Sequence, residues 1–231
     1  MHPLLSAVAL LVLGATMAWA QDPVQVAPAN FRVEFENDRA RVLRFNVGRG
    51  EKIPMHEHPP YVTVYLTDAR ARITLPGGKT RRVGRKAGET AWNETQTHSS
   101  EIFSDKPQQL VLVELKGKPA AGKPAPLALD PVKIAGQHYK VEFENSQVRV
   151  LRSYVDSYAA ISMHEHPHRV IVSLRDGHLK SILPDGNTVE IRRQAGEVAW
   201  RPATKHATEN LSQDPYEEIA IEFKGQPESA L

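Results

Sequence analysis

The sequence predicts an all-β protein built as two tandem barrels, and three observations carry that expectation. The chain repeats itself at a spacing of about 108 residues. Each copy breaks into short β-branched segments separated by turn residues, and no stretch holds the 3.6-residue apolar periodicity of a long helix. A chain of 231 residues, 41% hydrophobic and 24% charged, has the apolar content to bury two cores of about 100 residues each.

Residues 1–20 read as a signal peptide. An apolar run from Leu4 to Ala15 leads to Ala18-Trp19-Ala20, an A-x-A cleavage signature followed by polar Gln21-Asp22-Pro23, so the mature chain is expected to start at Gln21 and to be exported, periplasmic or secreted. Once that segment is removed no stable membrane association is expected; an uncleaved segment would instead act as an anchor. The sequence has no cysteine, which excludes disulfides, zinc-thiolate sites and thiol catalysis.

The first copy is assigned to residues 21–117 and the second to 139–231. Phe31-Arg-Val-Glu-Phe-Glu-Asn37 recurs as Tyr139-Lys-Val-Glu-Phe-Glu-Asn145, Met55-His-Glu-His-Pro59 as Met163-His-Glu-His-Pro167, and Ala87-Gly-Glu89 with Trp92 as Ala195-Gly-Glu197 with Trp200. Residues 118–138, opening with Lys118-Pro-Ala-Ala-Gly-Lys-Pro-Ala-Pro126, are assigned as the linker, because such a stretch sustains neither helix nor sheet. Within the copies, segments such as Arg41–Val47, Tyr61–Leu66, Leu110–Leu115 and Val170–Leu174 read as strands. Pro76-Gly77-Gly78 and Pro184-Asp185-Gly186 read as hairpin turns.

The ten histidines become informative once the repeat is aligned. His56 and His58 stand two apart in an extended segment, so both side chains leave one face, and the same holds for His164 and His166. A third histidine follows in each copy, His98 and His206, after a Gly-Glu-x-Ala-Trp strand. Three imidazoles converging in a barrel suit a borderline divalent metal such as Fe(II), Mn, Ni, Cu or Zn. Hydrogen-bonded histidines filling a barrel interior are the plainer alternative, but that reading must account for the triad being kept in register twice.

These residues resemble the cupins, specifically two-domain bicupins. The family's first motif, G-x5-H-x-H-x(3 or 4)-E-x6-G, is matched at its opening by Gly50, His56 and His58. Its second, G-x5-P-x-G-x2-H-x3-N, is matched by Gly196, Pro202, His206 and Asn210, with the turn one residue shorter and without its second glycine. The resemblance implies a double-stranded β-helix, or jelly-roll, barrel per repeat with a metal in the barrel mouth. The motif-one glutamate would fall at Val62 or Thr63 and at Val170 or Ile171, which cannot replace it. That departure points away from oxalate-type manganese bicupins. It leaves a centre similar to that of iron-dependent cupin dioxygenases acting on thiols, β-diketones or gentisate, a resemblance that favours Fe(II) among the candidate metals.

Other residues carry weaker signals. Glu57, Glu165, Met55 and Met163 alternate to the opposite face from the histidine pairs, and Trp92 and Trp200 are expected to pack between sheets. His168 is open as ligand, proton carrier or surface residue. The cluster Arg81, Arg82, Arg85 and Lys86 is either a solvated strand face or an anion patch. Because copy two keeps Pro202 and Asn210 and adds His168, it is the expected seat of chemistry.

Twenty-nine basic against 27 acidic residues give a net charge of +2, which with export argues against nucleic acid as a partner. The expected partner is a small molecule, and a homo-oligomer is left open. The leading functional expectation is a metal-dependent dioxygenase of a small chelating anion. A non-enzymatic periplasmic metal or small-ligand binding protein, or a metal-dependent isomerase or lyase, stands beside it. No catalytic acid or base is identified, and no organic cofactor is implied.

Overall fold

The computed structural model describes residues 21–117 and 126–224. The expected signal peptide and the first part of the expected linker lie outside the described residues. The all-β expectation holds: eighteen strands and two four-residue helices account for the regular structure among the described residues.

Each unit folds as two facing sheets. In the first, a five-stranded sheet runs β1 (Phe31–Glu36), β2 (Ala40–Val47), β9 (Gln108–Leu115), β4 (Tyr61–Tyr65), β7 (Thr90–Asn93). Opposite it a four-stranded sheet runs β3 (Lys52–His58), β8 (Gln96–Ile102), β5 (Ala69–Thr74), β6 (Thr80–Arg85). The second unit repeats this order. Its five-stranded sheet is β10 (Tyr139–Glu144), β11 (Val148–Val155), β18 (Tyr216–Phe223), β13 (Arg169–Ser173), β16 (Val198–Arg201). Its four-stranded sheet is β12 (Ala160–His166), β17 (Thr204–Asn210), β14 (Gly177–Ile182), β15 (Thr188–Arg193). The β5–β6 and β14–β15 hairpins turn at the Pro-Gly-Gly and Pro-Asp-Gly sites expected from the sequence.

The unbroken β-branched runs of β4 and β13 have a physical cause: every residue in both strands is buried. One face of each five-stranded sheet lines its own barrel. The other face packs against the neighbouring barrel, where Val42, Val62, Val64, Val111 and Val113 meet Val148, Val150, Val170, Val172, Ile219 and Ile221 in one apolar cluster. Trp92 and Trp200, expected between the sheets of a barrel, pack against this inter-barrel cluster.

Two reciprocal contacts pin the barrels together. Arg44 donates to the Gly196 carbonyl at 2.6 Å, and Arg152 donates to the Gly88 carbonyl at 2.6 Å. Both glycines hold positive φ, +83° at Gly88 and +82° at Gly196, a backbone region that a side chain at these approaches would strain.

A short helix packs against the first and third strands of each unit. Helices α1 (Pro23–Val26) and α2 (Pro131–Ile134) both start with proline and are capped by Asp22 and Asp130, whose carboxylates accept from Val24 and Val132. Of the expected linker, residues 126–138 are described, and from Leu129 onward they adhere to the second barrel. Leu129 exchanges two hydrogen bonds with Glu165, and Ala135 is buried in one cluster with Tyr139. The second unit therefore begins ahead of Tyr139.

Candidate metal centre

A register shift sets the geometry of the histidines. In β3, Ile53 and His56 both point inward although they are three residues apart, because the pairing with β8 is bulged between them. The bulge brings His56 directly opposite His98, and strand alternation then places His58 on the same inner face. β12 carries the same irregularity between Ile161 and His164, which puts His164 opposite His206. All six predicted ligands are thus gathered as two triads, His56, His58, His98 and His164, His166, His206, each offering ring nitrogens within 4.8 Å of one another. A first-row metal sits about 2.1 Å from each imidazole nitrogen, so modest ring rotations would complete the convergence.

Hydrogen bonds at Nδ1 aim the rings. His56 Nδ1 lies 2.7 Å from the Pro54 carbonyl, and that acceptor requires an Nδ1–H tautomer with the Nε2 lone pair free. His58 Nδ1 lies 2.6 Å from Glu114 Oε1, with both side chains buried. In the second barrel His164 Nδ1 meets the Ser162 carbonyl at 2.7 Å and His166 Nδ1 meets Glu222 Oε1 at 2.5 Å. The carboxylates are held in turn. Glu222 Oε2 accepts from Arg149 at 2.7 Å, and Arg149 also binds the helix-capping Asp130. Arg41, bound to Asp22, stands 3.6 Å from Glu114 Oε2. Such a carboxylate fixes ring orientation and raises ligand basicity.

Burial favours the neutral form of His56, His98, His164, His166 and His206, the state a metal ligand needs. It lowers His56 to about 4, although its bond to the Pro54 carbonyl pulls the other way. Burial, with the neighbouring rings of its triad adding to it, takes both His98 and His206 to about 2. His164 and His166 are also lowered by burial, His166 well below its ordinary value.

The two sites differ in what faces their free nitrogens. In the first barrel His56 Nε2 and His98 Nδ1 are buried with no hydrogen-bond partner. Buried polar atoms are seldom left so, and two unpartnered ring nitrogens in one triad, that of His56 carrying a free lone pair, fit a cation. In the second barrel the Tyr139 hydroxyl lies 2.9 Å from His164 Nε2, and Arg169 Nη2 lies 3.4 Å from His206 Nε2. His206 Nδ1 faces Ser181 and Thr208. The first barrel has Phe31 and Tyr61 at the positions of Tyr139 and Arg169.

Other expectations resolve as follows. His168 is outside the triad, stacked on Trp200 with ring centroids 5.7 Å apart. Asn210 is buried and donates to the carbonyls of Val155, Asp156 and Asp214, so it closes a loop and does not face the site. Of the features that marked copy two, His168 and Asn210 lie off the triad, while Pro202 lines the second cavity. Glu57 and Met55 are exposed, whereas Glu165 binds Leu129 and Lys205. The basic cluster divides: Arg81 and Arg85 line a cavity of about 330 Å3 over the first triad, while Lys86 pairs with Asp68 on the surface.

Sequence reasoning missed Glu114 and Glu222. Their signal was available: a carboxylate inside the apolar runs Leu110–Leu115 and Ile219–Phe223, kept at the repeat spacing. Arg169 was missed as well, because the first copy has no charged residue there to mark the position.

No family model matches the sequence, and no curated protein is significantly similar to it. Solved structures do share the fold. AerE from Microcystis aeruginosa superposes with a TM-score of 0.62 at 14% identity, covering 84% of this chain and 91% of that one. A cupin 2 conserved barrel domain protein from Leptotrichia buccalis gives 0.51 at 13%, over 84% and 88% of the two chains. An oxalate decarboxylase from Lactobacillus farciminis, in a formate complex, gives 0.56 at 12%, over 85% and 84%.

Proposed function

Because the chain has the two-barrel cupin fold with a histidine triad in each barrel, we propose that it is an exported metal-dependent protein whose working centre is His56, His58 and His98 of the first barrel. The observation that carries this reading is the pair of buried, unpartnered ring nitrogens, His56 Nε2 and His98 Nδ1. Fe(II) is the favoured metal, and the proposed reaction is dioxygenation of a small chelating anion. With three neutral ligands such an ion would keep its full charge and supply Lewis acidity and redox chemistry toward that anion and dioxygen.

The chain's own residues prepare the site. Glu114 orients His58 and balances the charge the ring acquires as a ligand. Phe31, Phe45, Ile102 and Leu112 wall the cavity and exclude water from the triad. At the mouth, Arg81 and Arg85 place two guanidinium groups where an anionic substrate enters. Export rests on the Ala18-Trp19-Ala20 signature and predicts a mature terminus at Gln21.

One observation favours a non-enzymatic binding protein as the second reading. Among residues lining the first cavity only Glu94 is acidic, and it is exposed with its Oε1 accepting from Trp92 Nε1 at 2.7 Å, so no buried carboxylate base lines the cavity. The same observation weighs against an isomerase or lyase, which needs a base at the substrate carbon. Elemental analysis of protein from its own compartment, followed by oxygen uptake with thiols, β-diketones and gentisate, separates the readings. Bound iron with uptake supports the dioxygenase, and stoichiometric metal without turnover supports the binding protein. Failure to hold any of Fe(II), Mn, Ni, Cu or Zn would overturn both.

A further inference from the structure

Position by position, the second barrel reverses the polarity of the first. Deep in the first cavity stand Phe31, Phe45, Tyr61 and Leu110, and the mouth strand β6 carries Arg81. At the equivalent deep positions the second cavity has Tyr139, Ser153, Arg169 and Glu218, while its mouth strand β15 carries Val189 in place of Arg81. Val189 is half exposed, and it lines the cavity with Leu183 and Ile191.

Arg169 is the centre of this difference. Its side chain is 3% exposed, it lines a cavity of about 310 Å3, and its Nη1 is buried with no hydrogen-bond partner. Its other terminal nitrogen makes only the 3.4 Å approach to His206. The neighbouring carboxylates are engaged elsewhere: Glu218 accepts from Tyr216 at 2.8 Å, and Glu222 holds Arg149 and His166. No ion pair to Arg169 is found among the described residues. Glu218 and Glu222 act on this guanidinium only through space, and a buried guanidinium with no hydrogen-bonded counter-charge is costly and also repels a cation brought to the adjacent histidines. Both problems are removed by an anion in the cavity.

We propose that the second barrel is a binding site for a small amphipathic carboxylic acid, with the carboxylate on Arg169 deep in the barrel and the apolar body running out past Leu183, Val189 and Ile191. The guanidinium fork matches a carboxylate, and the hydroxyls of Ser153 and Ser181 stand in the same cavity as further donors, while the Tyr139 hydroxyl is donated to His164 Nε2. Leu183, Val189 and Ile191, which share the lining with Arg193 and Arg201, favour an acid with an apolar body over a small polar anion. This site does not depend on the metal reading of the first barrel.

Isothermal titration of the full mature chain, stripped of metal by chelation, with octanoate, benzoate, acetate and octylammonium tests the proposal. Octanoate or benzoate should bind one per chain, at least tenfold tighter than acetate, and octylammonium should not bind. Arg169→Gln should lower that affinity at least tenfold with the melting temperature retained, and R169K should recover part of it. Val189→Asp, at an exposed position, should weaken octanoate more than acetate, because only octanoate also loses an apolar contact, so the test survives if Arg169→Gln fails to fold. H56A/H58A, which disables the proposed metal centre, should leave carboxylate binding intact. Lack of binding by either acid, indifference to both Arg169→Gln and Val189→Asp, or loss of binding in H56A/H58A would overturn the proposal.

Discussion

Glu114 Oε1 stands 2.6 Å from His58 Nδ1, both side chains sealed from solvent, on strands that are not neighbours in sequence or in the same sheet. The pair ties the five-stranded sheet to the four-stranded one through the site itself. Glu114→Gln keeps the shape but removes the charge, and should weaken metal binding by about 10–100-fold. Competition with a calibrated chelator reads this directly. Unchanged affinity would reduce Glu114 to a packing residue.

The triads should be unequal toward metal. H56A/H58A should abolish metal binding, since one remaining imidazole cannot hold a first-row ion against water and chelators. H164A/H166A should leave one equivalent in place, measured by elemental analysis after gel filtration. Two equivalents in the wild-type chain would contradict this.

The second triad should be recoverable. Tyr139→Phe with Arg169→Tyr installs the residues that the first barrel carries at these positions, clearing His164 Nε2 and removing the cation beside His206. The double variant should bind one more metal equivalent than the parent, and a fold check by circular dichroism accompanies the count.

Acid should destabilise the metal-free protein early. Unfolded histidine takes up a proton below about pH 6.5, whereas folded His56 resists until about 4, and His98 and His206 until about 2. Between those limits the unfolded chain binds more protons, so stability falls as pH drops, each such histidine adding up to about 1.4 kcal/mol per pH unit. Urea midpoints should decline steadily from pH 7 to pH 5. A flat profile over that range would show the histidines to be solvated.

The barrels should unfold together. Ile221 is fully buried in the cluster between them, and Ile221→Ala should cost about 2–5 kcal/mol while preserving a single thermal transition. Two resolved transitions in the wild-type chain would show that the shared cluster does not couple the units.

Much of this was legible in the sequence, for physical reasons that also explain what was not. The spacing His56-x-His58 reports a strand face directly, and the recurrence of the triad identifies the site. Position His98 against His56 required the bulge in β3, which the alternation rule cannot foresee. Glu114 and Arg169 act through strands distant in the chain, so their partners emerge only when sheet order is known. Asn210 misled because its spacing from His206 matched a motif, while its side chain serves the loop backbone.

The exchange of Arg44 with Gly196 and of Arg152 with Gly88 has the signature of two-fold symmetry, since adding the repeat spacing to one contact generates the other. Each repeat therefore carries a self-complementary face, the kind that pairs identical subunits in a homodimer. Joining both halves in one chain frees them from having to stay identical: one barrel can keep a ring of imidazoles facing phenylalanine and tyrosine while the other places a guanidinium beside its own, and neither change disturbs the valine surface they share.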